Sequence, residues 1–162
     1  VKEMPTPDVA YDVLAKLNIA YERLDHAPIT SVRDTDIVLP GQQVKNLCLK
    51  TKKGKQYFLV ILRDEKSADL KRLAEALGVS RLSFVSDEEL AALLAVEAGA
   101  VTPFGVLFDA DNKVQVVIDA EVDETQTVGF HPFINTTTLN IAYADFVRFL
   151  DYAKHPPLRV MC

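Results

Sequence analysis

The sequence predicts an α+β, mixed-sheet fold in a single domain spanning residues 1–162. Three observations predict it. Runs rich in β-prone residues follow one another in hairpin order rather than in strict βαβ alternation. Amphipathic helical runs separate them. The chain has 162 residues, 49% hydrophobic and 25% charged, which suits one sizeable core. There is no internal repeat and no low-complexity segment.

Taken in order, Asp8 stands as an N-cap before Val9, Val13, Leu14 and Leu17, whose spacing predicts an amphipathic helix ending near Asn18. A strand from Ile19 to Asp25 follows, then a loop at His26-Ala27-Pro28-Ile29-Thr30, where proline removes a donor and disfavours helical geometry before it. Ser31 caps a short helix to Val38, and Pro40-Gly41 makes a turn. Asn46 to Thr51 and Gln56 to Leu62 read as a hairpin around the basic turn Lys52-Lys53-Gly54-Lys55. Ser67 caps a helix with Leu70, Leu73, Ala74 and Leu77 on one face and Gly78 as its stop. Arg81 to Val85 is a strand. Ser86 and Glu89 form a capping box that opens a helix to about Ala95, with acids in its first turn. Gly99 to Gly105 is a loop, and Val106 to Phe108 with Lys113 to Asp119 form a second hairpin around Asp109-Ala110-Asp111-Asn112. Short strands follow near Thr127–Val128 and from Thr137 to Ile141. A helix from Ala142 to Tyr152 carries Phe146, Phe149 and Leu150 on one face, and His155-Pro156-Pro157 begins a tail.

Composition excludes several classes. No apolar run reaches the roughly 18–20 residues of a membrane span, and Val1-Lys2-Glu3-Met4-Pro5 lacks the apolar stretch of a secretion signal, so a cytoplasmic protein is expected. Two cysteines, Cys48 in an apolar run and Cys162 at the last position, make neither a disulfide framework nor a metal knuckle. No Gly-rich phosphate loop and no His-Glu-x-x-His occurs, and His26, His131 and His155 are too scattered to suggest a metal site. No cofactor is implied.

The charge is unevenly placed. The net charge is −5, yet Lys45 to Arg81 holds ten Lys and Arg against four acids, so that segment is +6 and the rest −11. A basic segment on an acidic body can dock a polyanion through phosphate contacts that weaken with salt, while a solvated hairpin and helix face is the plainer reading.

The densest run of polar side chains is Gly129-Phe130-His131-Pro132-Phe133-Ile134-Asn135-Thr136-Thr137-Thr138-Leu139-Asn140-Ile141, more than a structural turn requires. Its companion is Val44-Lys45-Asn46-Leu47, where an ammonium and a carboxamide, both hydrogen-bond donors, open an apolar strand. Pro132 fixes the backbone beside His131. Against these stand a structural histidine and a solvated lysine. Cys48 with His131 as base makes a nucleophile on paper, but a cysteine between Leu47 and Leu49 is more often a small buried hydrophobe.

Lys45-Asn46, Arg81-Leu82-Ser83-Phe84-Val85 before an acidic helix, Gly99-Ala100-Val101-Thr102-Pro103-Phe104-Gly105 and Phe130-His131-Pro132-Phe133-Ile134-Asn135 occur in an order that resembles the YbaK/ProX family of aminoacyl-tRNA deacylases. These are free-standing relatives of the editing domain of bacterial prolyl-tRNA synthetase, and the chain looks most like the branch that clears alanine from proline tRNA. The resemblance covers about Pro7 to Leu150. It implies a mixed, mostly antiparallel sheet flanked by helices, and hydrolysis in trans of the ester between a wrong amino acid and tRNA.

Carried over by position, the resemblance implies Lys45, Asn46 and His131 as the catalytic set. Gly99, Thr102, Pro103, Gly129 and Asn135 would shape the substrate site, with His26 and Thr30 matched more loosely because His26-Ala27-Pro28 stands where the family often has His-Pro-Pro. Lys50, Lys52, Lys53, Lys55 and Arg81 would contact the acceptor end of the tRNA, helical RNA being read through phosphates, hydroxyls and shape. An aminoacyl ester is already activated, so positioning a water and stabilising an oxyanion suffice, and no triad is expected. Ala-tRNA(Pro) is the expected substrate. Cys-tRNA(Pro) is the nearest alternative, since one heavy atom in an apolar pocket is worth only about 1–3 kcal/mol. A non-catalytic module that binds aminoacyl-tRNA or a synthetase is the alternative of another class. Prolyl-tRNA synthetase or an elongation factor is a possible partner; a membrane or DNA is not expected.

Overall fold

A computed structural model describes residues 5–27, 41–51, 56–97 and 100–162. The expected helix from Ser31, Pro40 and the basic turn of residues 52–55 lie outside that set. The chain runs α1 (Asp8–Lys16), β1 (Tyr21–Asp25), β2 (Gln42–Thr51), β3 (Tyr57–Arg63), α2 (Leu70–Leu77), β4 (Leu82–Phe84), α3 (Asp87–Leu94), a 3-10 helix (Pro103–Phe108), β5 (Val114–Asp119), β6 (Thr127–Phe130), β7 (Thr137–Ala142), α4 (Tyr143–Tyr152) and β8 (Leu158–Val160). The strands make one sheet in the order β1-β7-β6-β2-β3-β5-β8, with β4 added to β2. The fold class read from the sequence holds: a mixed, mostly antiparallel sheet flanked by helices.

Strand β2 is the hub. It pairs antiparallel with β3 from Val44 to Lys50, antiparallel with β4 at Leu49–Thr51, and parallel with β6 at Gln42 and Gln43. Between Gln43 and Leu49, the edge of β2 away from β3 therefore pairs with no described strand. Among the described strands this leaves a notch.

Alternation along β2 divides its side chains between two cores. Val44 and Cys48 join Leu59 and Ile61 of β3, and Val13, Leu14, Leu93, Leu94, Phe104 and Phe149, beneath α1, α3, the 3-10 helix and α4. Leu49 joins Phe58, Val60 and Leu62 beneath Leu73 and Ala74 of α2. An aromatic cluster anchors the larger core. Phe130 stacks on Phe146 with ring centroids 4.5 Å apart and Phe104 meets Phe149 at 5.2 Å, each pair adding about 0.5–1.5 kcal/mol beyond burial. The 3-10 helix approaches α3 closely enough that a Cβ on Gly105 would lie 2.5 Å from the Leu94 carbonyl oxygen. Only glycine fits there.

Several local expectations need correction. Pro7, not Asp8, occupies the N-cap of α1 and makes no side-chain cap; Asp8 sits in the first turn, where a carboxylate suits the positive helix end. Asp69, not Ser67, caps α2 by accepting from Arg72 N at 3.1 Å. The strand expected from Val106 to Phe108 is part of the 3-10 helix: Thr102 caps it, Pro103 opens it, and short apolar runs do not distinguish strand from buried helix. The hairpin expected around Asp109-Ala110-Asp111-Asn112 accordingly does not form, and β5 pairs parallel with β3 instead. The tail after Pro157 returns as β8, parallel to β5. The capping box of Ser86 and Glu89, the stop at Gly78 and the buried face of α4 are as expected.

Candidate active site

The half of the sheet built by β1, β7, β6 and the start of β2 has its larger core on one face. On the other face no described helix lies, and the register collects polar residues there. Gln43 of β2 pairs with Gly129 of β6, Gly129 with Asn140 of β7, and Thr138, two residues before Asn140, with Leu24 of β1. Lys45 follows Gln43 on the same face and His26 follows Leu24. The rings of His26 and His131 lie with centroids 6.2 Å apart. The structure thus brings Lys45, Gly129, His131 and His26 onto one face.

Hydrogen bonds fix both imidazoles. His131 Nδ1 donates to the Thr137 carbonyl oxygen at 3.0 Å. His26 Nδ1 donates to the Ala27 carbonyl at 2.9 Å, leaving Nε2 to accept from the Thr138 hydroxyl at 2.8 Å. A carbonyl can only accept, so each ring carries its proton on Nδ1. The His131 Nε2 lone pair has no partner among the described residues. Burial pushes the pKa of His131 below the ordinary 6.5, against the raising effect of the Thr137 carbonyl and with further lowering from the His26 ring. At neutral pH, His131 is a neutral acceptor.

The face is held rigidly. Thr137 donates to Asp25 Oδ1 at 2.8 Å, a bond that, with Arg23, holds the Asp25 carboxyl below its usual range. Asn140 Nδ2 donates to Thr127 Oγ1 at 2.6 Å, and Gln42 exchanges two bonds with the backbone of Asp123. Gly129 forms the floor: a Cβ there would lie 2.9 Å from Thr138 Cγ2 and 3.0 Å from Gln43 Oε1. The turn after His131 is pinned through Phe133, in the left-handed region at φ 67°, whose ring meets Phe104 and Phe108 at 6.5 and 6.0 Å. Asn135 is half-buried in this turn and has no polar partner among the described residues.

Lys45 and Asn46 do not point together. Lys45 pairs with Leu62 on one face, and Asn46 pairs with Ile61 on the other. Asn46 Oδ1 is buried without a hydrogen-bond partner, an uncommon state for a buried carboxamide. The backbone of Asn46 is placed differently from its side chain. Gln43 O accepts from Asp64 N and Thr51 N donates to Gln56 O, both at 3.0 Å, so odd-numbered residues of β2 bond to β3. Even-numbered Asn46 therefore turns its N–H and C=O into the notch. Lys45 is half-buried and forms no hydrogen bond or ion pair among the described residues.

The remaining expected site residues divide. Thr102 is fully buried and its Oγ1 accepts from Phe104 N at 3.5 Å, while Pro103 is buried at the start of the 3-10 helix. Both shape the loop from behind. Lys50 pairs with Glu89 Oε1 at 2.7 Å, drawing that carboxyl below its usual range, and so is held by the capping box of α3. Arg81 is exposed. Thr30, Lys52, Lys53, Lys55 and Gly99 lie outside the described residues. Reasoning from the sequence missed Thr138 and Gln43 as neighbours of the histidines and Gly129; period-two alternation within 137–141 was the available signal for Thr138.

Cys48 is no nucleophile. It is 5% exposed, and burial pushes its thiol up to about 12. Clefts of about 490, 450 and 280 Å³ gather around Asp109 to Lys113 at the other end of β3 and β5, and none of the three touches Lys45, Asn46 or His131. The paired imidazoles and the unpaired edge of β2 lie at the Lys45 end of the sheet.

One face of the sheet thus holds a neutral histidine, a lysine and a strand edge that pairs with no described strand. The sequence model of the aminoacyl-tRNA editing domain family matches residues 27–149. The chain is 35% identical over 149 residues to the prolyl-tRNA editing protein ProX of Acetoanaerobium sticklandii, covering 88% of this chain and 91% of that one. It is 32% identical over 152 residues to the prolyl-tRNA synthetase associated domain-containing protein 1 of Danio rerio, covering 91% and 82%. The crystal structure of a candidate trans-editing enzyme for prolyl tRNA synthetase superposes with a TM-score of 0.71 at 14% identity, covering 99% of this chain and 98% of that one, which speaks for the fold. The chain belongs to the aminoacyl-tRNA editing family. It is an aminoacyl-tRNA deacylase.

Proposed function

We propose that the protein acts in trans on mischarged tRNA(Pro), with Ala-tRNA(Pro) as its principal substrate, through a water positioned at the aminoacyl ester. The name of the Acetoanaerobium sticklandii relative supports the prolyl tRNA, and the observation that carries the mechanism is the neutral His131 on the face of Lys45, its Nε2 without a partner among the described residues. The ester lies across the notch in β2. Lys45 Nζ faces the carbonyl oxygen or the terminal phosphate and stabilises negative charge. The backbone N–H and C=O of Asn46 orient the ester from the notch, and the carboxamide with the unsatisfied Oδ1 supports the strand from behind. His131 Nε2 accepts a hydrogen bond from the attacking water or a ribose hydroxyl. Water oxygen bonds to the carbonyl carbon, the bond to the ribose oxygen breaks, and that oxygen leaves with a proton. Positioning and charge stabilisation account for this chemistry without a strong nucleophile.

Side-by-side incubation with Ala-, Cys-, Ser- and Pro-tRNA(Pro) tests the assignment. Release of alanine ahead of the other amino acids is the expected result; faster release of cysteine would move the substrate to Cys-tRNA(Pro), and four intact esters would overturn the reading.

The depressed pKa of His131 predicts the pH profile. Because only the neutral ring accepts through Nε2, the acid limb of kcat/KM for Ala-tRNA(Pro) should have its midpoint below the ordinary histidine value of about 6.5. The same group links stability to pH: the unfolded chain takes up this proton first, so its contribution is complete above about 6.5 and is lost as pH falls through the lower folded value. An acid limb centred at or above 6.5 would count against His131 as the acceptor.

A further inference from the structure

We propose that Phe84 is a stacking platform for a nucleobase in the single-stranded 3′ end of the tRNA, with Arg81 meeting an adjacent phosphate. This rests on the editing function above. Phe84 is the last residue of β4 and pairs with Leu49 of β2, so its ring stands on the same face as Leu49, Leu47 and Lys45. Leu82, two residues earlier on that face, is 6% exposed, whereas Phe84 is 59% exposed, more than any other large hydrophobic residue among those described. The cover supplied by α2 ends between them.

An aromatic ring standing free on a short edge strand gains nothing for the core, and its position relative to the site is specific. Val85 N donates to Cys48 O at 3.2 Å just beyond it, so Phe84 flanks the notch. Lys45 lies four residues along β2 from Leu49, about 13 Å away at the rise of a strand. An ester held at Lys45 leaves the unpaired nucleotides behind it to run along this face toward Phe84. The charge fits that occupant: Arg81 is exposed, with no hydrogen bond or ion pair among the described residues, and the segment from Lys45 to Arg81 is +6. Lys50 is already held by Glu89, whereas Arg81, the exposed residue just before β4, is available to a phosphate. Exposed aromatic faces within basic grooves bind single strands with little regard to sequence, because every base has a π-face.

The chain contains no tryptophan, so Phe84→Trp introduces a unique fluorophore at the proposed contact. Titration of that variant with a short RNA oligonucleotide ending in CCA should quench its fluorescence. Phe84→Ala, an exposed change expected to leave the melting temperature in place, should raise KM for Ala-tRNA(Pro) roughly tenfold with kcat unchanged. Hydrolysis of alanyl-adenosine, an ester without upstream nucleotides, should be unaffected. Absence of quenching, an unchanged KM, or an equal loss on both substrates would each overturn the proposal. Should the wild type hydrolyse no aminoacyl-tRNA, the editing function fails, and the quenching titration still decides whether Phe84 stacks a base.

Discussion

Lys45→Ala is expected to lower kcat/KM for Ala-tRNA(Pro) by about 10²–10³-fold, the range found when one preorganised donor to a developing oxyanion is removed. The protein should remain folded. Lys45 has no ion pair among the described residues, so its removal strands no buried carboxylate, and its cross-strand partner is Leu62, against which alanine is neutral. Activity and stability therefore separate at this position. Far-UV circular dichroism and the urea midpoint should match the wild type while alanine release from Ala-tRNA(Pro) is nearly lost. Lys45→Arg is informative beside it, because a planar guanidinium replaces a compact point charge and should restore only part of the rate if Nζ faces a single oxygen. Undiminished turnover by a folded Lys45→Ala protein would remove Lys45 from the mechanism.

The sequence made the local devices of the fold legible, because each is written within a few residues. Ser86 and Glu89 specify the start of α3, Gly78 at φ 72° stops α2, and the spacing of Phe146, Phe149 and Leu150 turns α4 inward. Pairing between distant strands carries no such mark. The parallel register of β3 on β5 and of β5 on β8 depends on loop closures that no short pattern encodes, so the sequence pattern alone reads β5 as half of a hairpin and carries no sign of β8. The Val106–Phe108 run shows a second limit: a short apolar run reads alike as strand or buried helix, and only the fold shows it closing a 3-10 helix capped by Thr102. For the candidate site, the family motifs pointed to Lys45 and His131, and the sheet register places both on one face. The division of Lys45 from Asn46 follows from strand alternation alone, once β2 is known to run unbroken through both. Lys50 is different. Its partner Glu89 is 39 residues away, and only the folded chain shows that a lysine expected to meet tRNA is occupied.

The largest stability effect is expected far from the notch, at Asp109. This carboxylate is 5% exposed; Oδ1 accepts from Lys113 N at 3.0 Å, and Oδ2 accepts from Val114 N at 2.8 Å and lies 2.9 Å from His155 Nε2. His155, 4% exposed, also turns Nδ1 to the Ala153 carbonyl at 2.7 Å. One acid thus ties the turn before β5 to the end of α4 and the approach to β8. Asp109→Ala leaves the Val114 N–H and the His155 ring buried without their acceptor and removes the acceptor of Lys113 N–H, at about 1–3 kcal/mol for each buried group left unsatisfied. Against a total stability of roughly 5–15 kcal/mol, that is a large fraction. Urea unfolding at pH 7 should show the loss. The double variant Asp109→Ala/His155→Phe should recover part of it, since the stranded imidazole is gone while the two N–H groups remain unpaired. The rate on Ala-tRNA(Pro), measured below the lowered melting temperature, should stay within a few-fold of the wild type, because Asp109 lies beside the start of β5, which aligns with Tyr57 at the end of β3 away from Leu62 and Lys45. A destabilisation under 1 kcal/mol would show that the Asp109 and His155 pair does not clamp the C-terminal strand, whereas a loss of activity matching that of Lys45→Ala in a folded protein would place this end of the sheet in the reaction.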